Sequence, residues 1–270
     1  MSRKRPTKLV VLSDLHVGSS LGVWPQGYRV RHGMVPSLNH LQKFLYRCWQ
    51  DGLEWVDRMC PDGYVLGLNG DLIDGVHHRT HEVMSGLVDD HVGACIELLT
   101  PVARKARMVV ATLGTEAHTG QAEHSIITSL SGTRATDWAP AHNSVVLSIN
   151  GVTTELMHHI DTAVRPWAEA TGHSVAMNVR RAERARLGRE TPTVLIRGHR
   201  HRFGYFCDGR GLTVVTPSWQ ALTRWAWKVL PGAEACVGFT VIDYADLEDG
   251  VIPKVRFRLY SPKDDRVIHV

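Results

Sequence analysis

Residues 8–16 of the sequence read KLVVLSDLH, an apolar run that ends in an aspartate and a histidine. The run Leu9–Leu12 is aliphatic and β-branched, a composition that is typical of a buried strand. Asp14 and His16 follow directly, where the strand gives way to a loop. Ligands in parallel α/β sheets bind at the carboxyl ends of strands, so this stretch predicts both a buried strand and the beginning of a functional site.

The same arrangement recurs along the chain, because four more predicted strands end in a loop that carries histidine or aspartate. The five motifs are Asp14-x-His16, Gly70-Asp71, Gly114-Thr115-Glu116-Ala117-His118, His158-His159 and Gly198-His199-x-His201. Taken singly, each motif is weak, since a lone histidine is more often a hydrogen-bonded surface or core residue than a ligand. Their recurrence at strand ends indicates one site assembled from several loops.

The segments between the motifs alternate between strand and helix patterns. Apolar residues from Leu38 to Val56 recur at three- and four-residue spacing, which predicts an amphipathic helix over about 37–59. A second helix is predicted within 86–106, between two strands. This alternation predicts an α/β fold with a parallel sheet. Asn150-Gly151 further along is typical of a β-hairpin turn.

Length and composition favour one soluble globular domain. The chain has 270 residues, of which 43% are hydrophobic and 21% charged, so we expect a single domain over residues 1–270 with a packed core. Sixteen histidines are many for this length and suggest metal or acid/base chemistry where they cluster. The formal charge of +4 is mild.

The location is predicted from what the sequence does not contain. No segment is typical of a signal peptide, since Met1–Thr7 is basic and polar, and no stretch is apolar enough for a membrane span. The five cysteines form no Cys-x-x-Cys pair and indicate neither a disulfide framework nor a zinc knuckle. We therefore expect a cytoplasmic protein that has no contact with membranes.

In these motifs the sequence resembles the calcineurin-like metallophosphoesterase family, whose ordered motifs are Asp-x-His, Gly-Asp, Gly-Asn-His, a strand-end His and Gly-His-x-His. Four of the five motifs match literally, between Asp14 and His201. The resemblance implies a four-layer β-sandwich flanked by helices, and the strands predicted over 203–270 would complete it. It also implies an enzyme that hydrolyses phosphate esters with two divalent metal ions.

The resemblance assigns a role to each matching residue. Asp14, His16 and His201 would hold one ion, His158 and His199 the other, and Asp71 would bridge both. His159 would then be a neighbour that touches substrate or faces solvent. Imidazole and carboxylate ligands together suit manganese, which we expect first, and also iron, zinc or nickel. The ions would activate water and stabilise an in-line displacement at phosphorus.

The third motif departs from the family, because the metal-binding Asn is missing from Gly114-Thr115-Glu116-Ala117-His118. We predict that Glu116 supplies the oxygen ligand to the second ion and that His118 protonates the leaving group. The alternative is that this loop has lost its ligand and leaves the second ion loosely held. Asp74 is predicted to be a hydrogen-bond partner of the ligands or a turn residue.

Three further segments bear on the substrate. The segment 77–81 could contact phosphate through Arg79 or be a solvated loop, and the basic run from Arg180 to Arg189 could follow a nucleic-acid backbone or be an exposed helix. The segment 219–228 mixes tryptophans with cations, although core-filling tryptophan is commoner, and Trp225 and Trp227 would share one face of a strand.

These segments favour, as the function, a phosphodiesterase that acts on nucleic acid or nucleotides, with nuclease action included. A phosphomonoesterase acting on protein or small-molecule phosphates is the second hypothesis. A binding module that has kept the fold and lost the chemistry is the third. The sequence does not indicate the oligomeric state.

Overall fold

The apolar run Lys8–Leu12 forms a buried strand, β1, in the computed structural model, which describes residues 5–77, 81–120, 122–131, 141–160, 169–229, 234, 236–248 and 251–262. The other strands are β2 (Tyr64–Asn69), β3 (Ala106–Thr112), β4 (Val145–Ile149), β5 (Val152–Leu156), β6 (Val194–Arg197), β7 (Gly204–Cys207), β8 (Leu212–Val215), β9 (Val237–Glu248) and β10 (Ile252–Tyr260). The helices are α1 (His40–Met59), α2 (Val88–Lys105), α3 (Glu116–Thr119), α4 (Ala122–Ser131), α5 (Glu169–Arg186) and α6 (Arg224–Val229).

The first sheet has the strand order β10-β9-β1-β2-β3. Strands β1, β2 and β3 run parallel, with Leu12 paired to Leu68 and Leu68 paired to Ala111. Their carboxyl ends therefore lie side by side, and the loops that carry the first three motifs leave the sheet at one edge. Strand β9 pairs antiparallel with the other side of β1.

The second sheet has the order β4-β5-β6-β8-β7. Strands β4 and β5 form the hairpin predicted at Asn150-Gly151, and β5 runs parallel to β6 with Leu156 paired to Ile196. This pairing brings the loop after β5, with His158, next to the loop after β6, with His199. The last two motifs thus also begin at neighbouring strand ends.

The two sheets pack face to face, and helices cover their outer faces. Leu9 and Val11 of β1 belong to the apolar cluster shared with the second sheet, whereas Val10 and Leu12 belong to the cluster that includes the helices α1 and α2. Successive strand residues point to opposite faces, so burial on both faces explains why the run is apolar throughout. Helix α5 packs against strands β7 and β8 of the second sheet. The predicted α/β sandwich flanked by helices is confirmed.

The segment 219–228 differs from its prediction. Trp219 is fully buried in the core, but Arg224–Val229 forms the short helix α6 and not a strand. The prediction that Trp225 and Trp227 lie on a strand is therefore wrong, because the backbone of this segment is helical. In a segment of only six residues, two tryptophans at alternate positions are compatible with either a strand or a helix.

The strands that follow the last motif join both sheets, β7 and β8 the second and β9 and β10 the first. This placement agrees with the expectation that residues after 203 complete the sandwich, and the assignment of residues 1–270 to a single domain stays a prediction. Among the helices of the described ranges, none combines the length and apolarity that crossing a bilayer requires.

Candidate metal centre

Five of the predicted metal ligands have backbone angles in the left-handed region, which side-chain-bearing residues rarely adopt. The φ angles are 52° at Asp14, 44° at His16, 49° at Asp71, 71° at His199 and 55° at His201. Such conformations cost on the order of 1–3 kcal/mol each and persist where the surrounding structure imposes them, often at functional sites. The backbone thus turns sharply at the end of each strand to direct these residues toward one place.

Asp71 is held by the third motif. The Thr115 amide donates to Asp71 Oδ1 at 2.6 Å, and the Thr115 hydroxyl donates to Asp71 Oδ2 at 3.2 Å. This contact requires glycine at position 114, because a Cβ there would lie 2.2 Å from Asp71 N and Oδ1. Buried Glu123 of α4 ties the two loops together by accepting hydrogen bonds from Gly114 N at 2.7 Å and from Leu72 N at 3.3 Å.

The first cluster consists of Asp14, His16 and His201, whose ligand atoms lie within 4.8 Å of one another. The Nε2 atoms of His16 and His201 are 3.0 Å apart, and His201 Nε2 is 3.4 Å from Asp14 Oδ1. His16 Nδ1 contacts the carboxylate of Asp74 at 3.1 Å. Because a carboxylate accepts, this contact places the His16 proton on Nδ1 and leaves Nε2 as a potential ligand atom.

The second cluster consists of His158, His159 and His199, whose ligand atoms also lie within 4.8 Å of one another. His158 is fully buried, and its Nδ1 donates to the carbonyl of Asn69 at 2.8 Å. Its Nε2 makes no hydrogen bond within the described residues, yet lies 3.1 Å from Asp71 Oδ2. An unsatisfied ring nitrogen that faces a buried carboxylate is a suitable place for a cation.

Asp71 lies between the two clusters. Its Oδ2 atom is 3.1 Å from His158 Nε2 of the second cluster and 3.8 Å from His16 Nε2 of the first. Asp14, Asp71 and His158 form a third set of ligand atoms within 4.8 Å. The predicted residues Asp14, His16, Asp71, His158, His199 and His201 are thus brought together in one centre.

The electrostatics of the centre favour bound cations. Burial alone would raise the pKa of Asp14 and Asp71, but the neighbouring His158 reverses this effect, lowering the pKa of Asp14 to about 2 and that of Asp71 well below its usual range. Burial disfavours the His158 imidazolium, yet Asp14 and Asp71 outweigh it and raise the pKa of His158 to about 9. The two buried carboxylates therefore attract positive charge, which metal ions at the same place would supply.

Oxygen and imidazole donors in this proportion fit divalent transition-metal ions. A carboxylate located between two sets of donors also fits a pair of ions, with Asp71 as the shared ligand. The donor set and the unpartnered Nε2 of buried His158 agree with the ligands that the sequence motifs predict.

Glu116 differs from the other predicted ligands. It is exposed at the first position of α3, and it is in none of the sets of clustered ligand atoms found among the described residues. The structure therefore does not bring Glu116 into the centre, and its ligand role stays a prediction. Its neighbour Thr115 makes the contact with Asp71, and Thr115 Oγ1 also lies 3.5 Å from His199 Nδ1.

His118 lies beside the first cluster, and its catalytic role stays a prediction. Its ring packs edge-on against His16 at 4.7 Å between centroids, and its Nδ1 donates to the Asp74 carbonyl at 3.1 Å. Asp74 contacts His16 through its carboxylate, which agrees with its predicted role as a partner of the ligands. Gln220 Nε2 donates to the same carboxylate oxygen at 3.2 Å.

The other charged segments have different surroundings. His77 Nε2 is 3.6 Å from Asp74 Oδ1, at the edge of the centre, whereas His78 and Arg79 lie outside the described residues. On α5, Arg180 Nε donates to the buried carboxylate of Glu155 at 2.6 Å. The run is helical, as the simpler interpretation of an exposed helix expects, and Arg186 is exposed, but this part of the run packs against the second sheet.

Sequence reasoning missed three residues of the centre. Thr115 could have been found, because it directly follows Gly114 at the position where the family motif has Asn. The sequence assigns one ligand role to the pair His158 and His159 and gives it to His158, whereas the structure places both residues in the second cluster. Glu123 carries no local sequence signal, since its contacts to the two loops exist only after the chain has folded.

Comparison with known proteins gives matches among solved structures, whereas no protein-family model and no curated protein matches the chain. An archaeal phosphodiesterase is 12% identical with a TM-score of 0.47, over 94% of this chain and 99% of that chain. Vps29 from Entamoeba histolytica, solved as a zinc complex, is 14% identical with a TM-score of 0.40, over 94% and 98%. A predicted phosphoesterase from Streptococcus pneumoniae is 12% identical with a TM-score of 0.38, over 96% and 99%.

The architecture and the motif order of this chain agree with those that the resemblance to the calcineurin-like metallophosphoesterases implies. Two stacked mixed sheets lie between helices, and the five motifs end β1, β2, β3, β5 and β6 in the order that the resemblance requires. The resemblance noted in the sequence is thus confirmed for the fold.

Proposed function

We propose that this protein is a divalent-metal-dependent phosphodiesterase that acts on nucleic acid or nucleotides. The observation that carries the proposal is the position of Asp71, whose Oδ2 lies 3.1 Å from His158 Nε2 and 3.8 Å from His16 Nε2. One carboxylate that reaches two sets of ligands is what a pair of metal ions needs as a shared ligand. We expect manganese first, with iron, zinc or nickel as alternatives.

A pair of ions bound there would supply positive charge for an in-line displacement at phosphorus and would lower the pKa of water. Asp14, His16 and His201 would hold one ion, His158 and His199 the other, and Asp71 would contact both. The hydrogen bonds from His16 Nδ1 to Asp74 and from His158 Nδ1 to Asn69 O fix which ring nitrogen of each histidine is available as a ligand.

His118 is suited to move a proton at its Nε2 atom. Its Nδ1 donates to a backbone carbonyl, which can only accept, so Nδ1 retains its proton in both charge states of the ring. The proton that is exchanged must then be the one on Nε2. The side chain is 23% exposed, which permits contact with a substrate, and protonation of the leaving alkoxide is the role that this arrangement supports.

Preference for a diester is supported by two exposed side chains on helix α6. The Trp219 amide donates to the carbonyl of Asp14 at 2.9 Å, and helix α6 follows within a few residues. On that helix, the Arg224 side chain is 94% exposed and Trp227 is 47% exposed. An exposed cation and an exposed aromatic ring on this helix suit the phosphate and the base of a nucleotide.

We also propose a cytoplasmic location. All five cysteines lie within the described residues, and each has a free thiol. A reducing compartment keeps thiols in this state.

Hydrolysis of bis-p-nitrophenyl phosphate and of p-nitrophenyl phosphate by manganese-loaded protein tests the proposal. We expect turnover of the diester to exceed that of the monoester, and Asp71→Asn to reduce it by at least about a hundredfold because both ions lose a charged ligand. Asp246→Asn, which removes an exposed carboxylate on β9, is the matched control. Faster turnover of the monoester would favour the phosphomonoesterase, and metal binding without turnover of either ester would favour the binding module.

A further inference from the structure

We infer that His159 is a third imidazole ligand of the second metal position, an inference that rests on the proposed two-metal function. The ligand atoms of His158, His159 and His199 all lie within 4.8 Å of one another. The ring centroids are 5.0 Å apart for His158 and His159, 5.0 Å for His159 and His199, and 5.3 Å for His158 and His199. The three rings are therefore close enough together for each to offer one nitrogen to the same ion.

The backbone explains how two consecutive histidines can serve one ion. Strand β5 ends at Leu156, so His158 and His159 lie in the loop beyond it. Within a strand, consecutive side chains would point to opposite faces of the sheet, and only one of the two could reach the centre. Beyond the strand end this constraint is absent, and the rings of both histidines lie next to His199.

The second position has room for a further donor. Asp71, His158 and His199 provide three ligands, and a fourth position of the ion can take water, substrate or another side chain. Glu116 is in no ligand set of the described residues, whereas the equally exposed His159 is, and the Thr115 hydroxyl is engaged with Asp71 Oδ2 at 3.2 Å. The ring of His159 contacts those of His158 and His199, and one of its ring nitrogens belongs to the same set of clustered ligand atoms.

His159 would make the two positions chemically different. The first would have two imidazoles and the carboxylates of Asp14 and Asp71, whereas the second would have three imidazoles and only Asp71. Imidazole-rich sites suit zinc, iron, nickel and copper, and oxygen-rich sites suit manganese and magnesium. We therefore expect the second position to select zinc over manganese more strongly than the first.

Metal binding to purified full-length protein tests the inference without reference to activity. Metal-free wild type, His159→Ala, Thr115→Val and His32→Ala would be titrated with zinc and analysed for metal content after dialysis, and cobalt absorption spectra would report the ligands of each site. His32 is an exposed histidine outside the ligand sets of the described residues, and it serves as the control. Circular dichroism would verify the fold of each variant.

We expect two zinc ions in the wild type and in His32→Ala, and a loss of affinity of at least about tenfold for one of the two ions in His159→Ala, together with a changed cobalt spectrum. Wild-type zinc affinity and an unchanged spectrum in His159→Ala would overturn the inference. Loss of the second ion in Thr115→Val alone would assign the ligand to the hydroxyl and would also overturn it. A wild type that binds manganese but no zinc would also overturn the inference, whereas a wild type that binds neither metal would refute the proposed function.

Discussion

The Nε2 atoms of His16 and His201 lie 3.0 Å apart although 185 positions separate the two residues in the chain. Two imidazole nitrogens at this distance are stabilised by a shared proton or by a cation beside them. Asp14 Oδ1, 3.4 Å from His201 Nε2, adds a negative charge to the same place. The pair therefore agrees with the proposed first metal position, and the geometry of that position depends on the hydrogen-bond partners that hold each ring.

Asp74→Ala should weaken metal binding at the first position. The Asp74 carboxylate contacts His16 Nδ1 at 3.1 Å and so holds the ring and its tautomer. Removal of such a partner typically reduces metal affinity by about 10–100-fold. Titration of metal-free protein by calorimetry would measure the loss, and Asp74→Asn, which keeps an oxygen acceptor, should restore most of the affinity. Equal affinity in Asp74→Ala and wild type would show that the contact is incidental.

Gly198→Ala should disrupt the centre through a steric clash with Ser13 and Asp14. A Cβ at this position would lie 2.2 Å from Ser13 Oγ and 2.7 Å from Asp14 Oδ2, both of which are buried. We expect a loss of stability of about 1–3 kcal/mol and at least about tenfold weaker metal binding. Gly86→Ala is the control, because no atom lies within 4 Å of a Cβ there. Urea unfolding and metal titration measure the two effects, and similar values for both variants would contradict the prediction.

Glu155→Gln should destabilise the fold, because Glu155 is the buried partner of several arginines. Its carboxylate accepts hydrogen bonds from Arg197 Nη2 at 2.8 Å and from Arg180 Nε at 2.6 Å, and the Glu155 side chain is fully buried. Removing one member of a buried ion pair costs about 3 kcal/mol or more. Asp246→Asn breaks an exposed pair with Lys254 and should cost less than about 1 kcal/mol. Urea unfolding measures the loss of stability in both variants. An equal loss would refute the role of Glu155 as the buried partner of the arginines.

Acid should destabilise the protein in part through His173. Burial, together with the charge of Arg200, lowers the pKa of His173 to about 4, from an ordinary value of 6.5. Between these values the unfolded chain binds the extra proton and the folded chain does not, so this contribution is complete above pH 6.5 and is lost as the pH falls toward 4.

Replacing His173 with leucine separates its contribution to the pH dependence of stability from the contributions of the other histidines. The free energy of unfolding of wild type should fall more between pH 7.5 and pH 5 than that of His173→Leu. Urea unfolding at both pH values measures the difference. An identical fall in the two proteins would show that His173 is not kept neutral by the fold.

The strand-end motifs could be predicted from sequence because they depend on local patterns. An apolar run followed by aspartate or histidine marks both the end of a strand and the start of a loop, and parallel pairing then brings those loops together. The replacement in the third motif could not be resolved in this way. Whether Thr115 or Glu116 faces Asp71 depends on the turn after β3, and that turn is set by the close approach of Gly114 to Asp71.

Two other features also depend on tertiary structure. His159 joins the second cluster only because β5 ends at Leu156, and strand ends are poorly defined by composition. Helix α6 was missed because two alternating tryptophans are compatible with a strand, whereas the actual conformation of so short a segment is determined by its neighbours. Long-range contacts therefore decided the details that local patterns left open.

The pairing of β1 with β9 has a consequence for biosynthesis. Val11 is paired with Thr240, so the strand that leads into Asp14 has hydrogen-bonding neighbours on both sides only once β9 has been added. A chain emerging from the ribosome presents all five motifs well before that strand is made. We therefore expect ion uptake to follow translation, and a nascent polypeptide arrested shortly after residue 201 to capture metal poorly despite carrying every ligand.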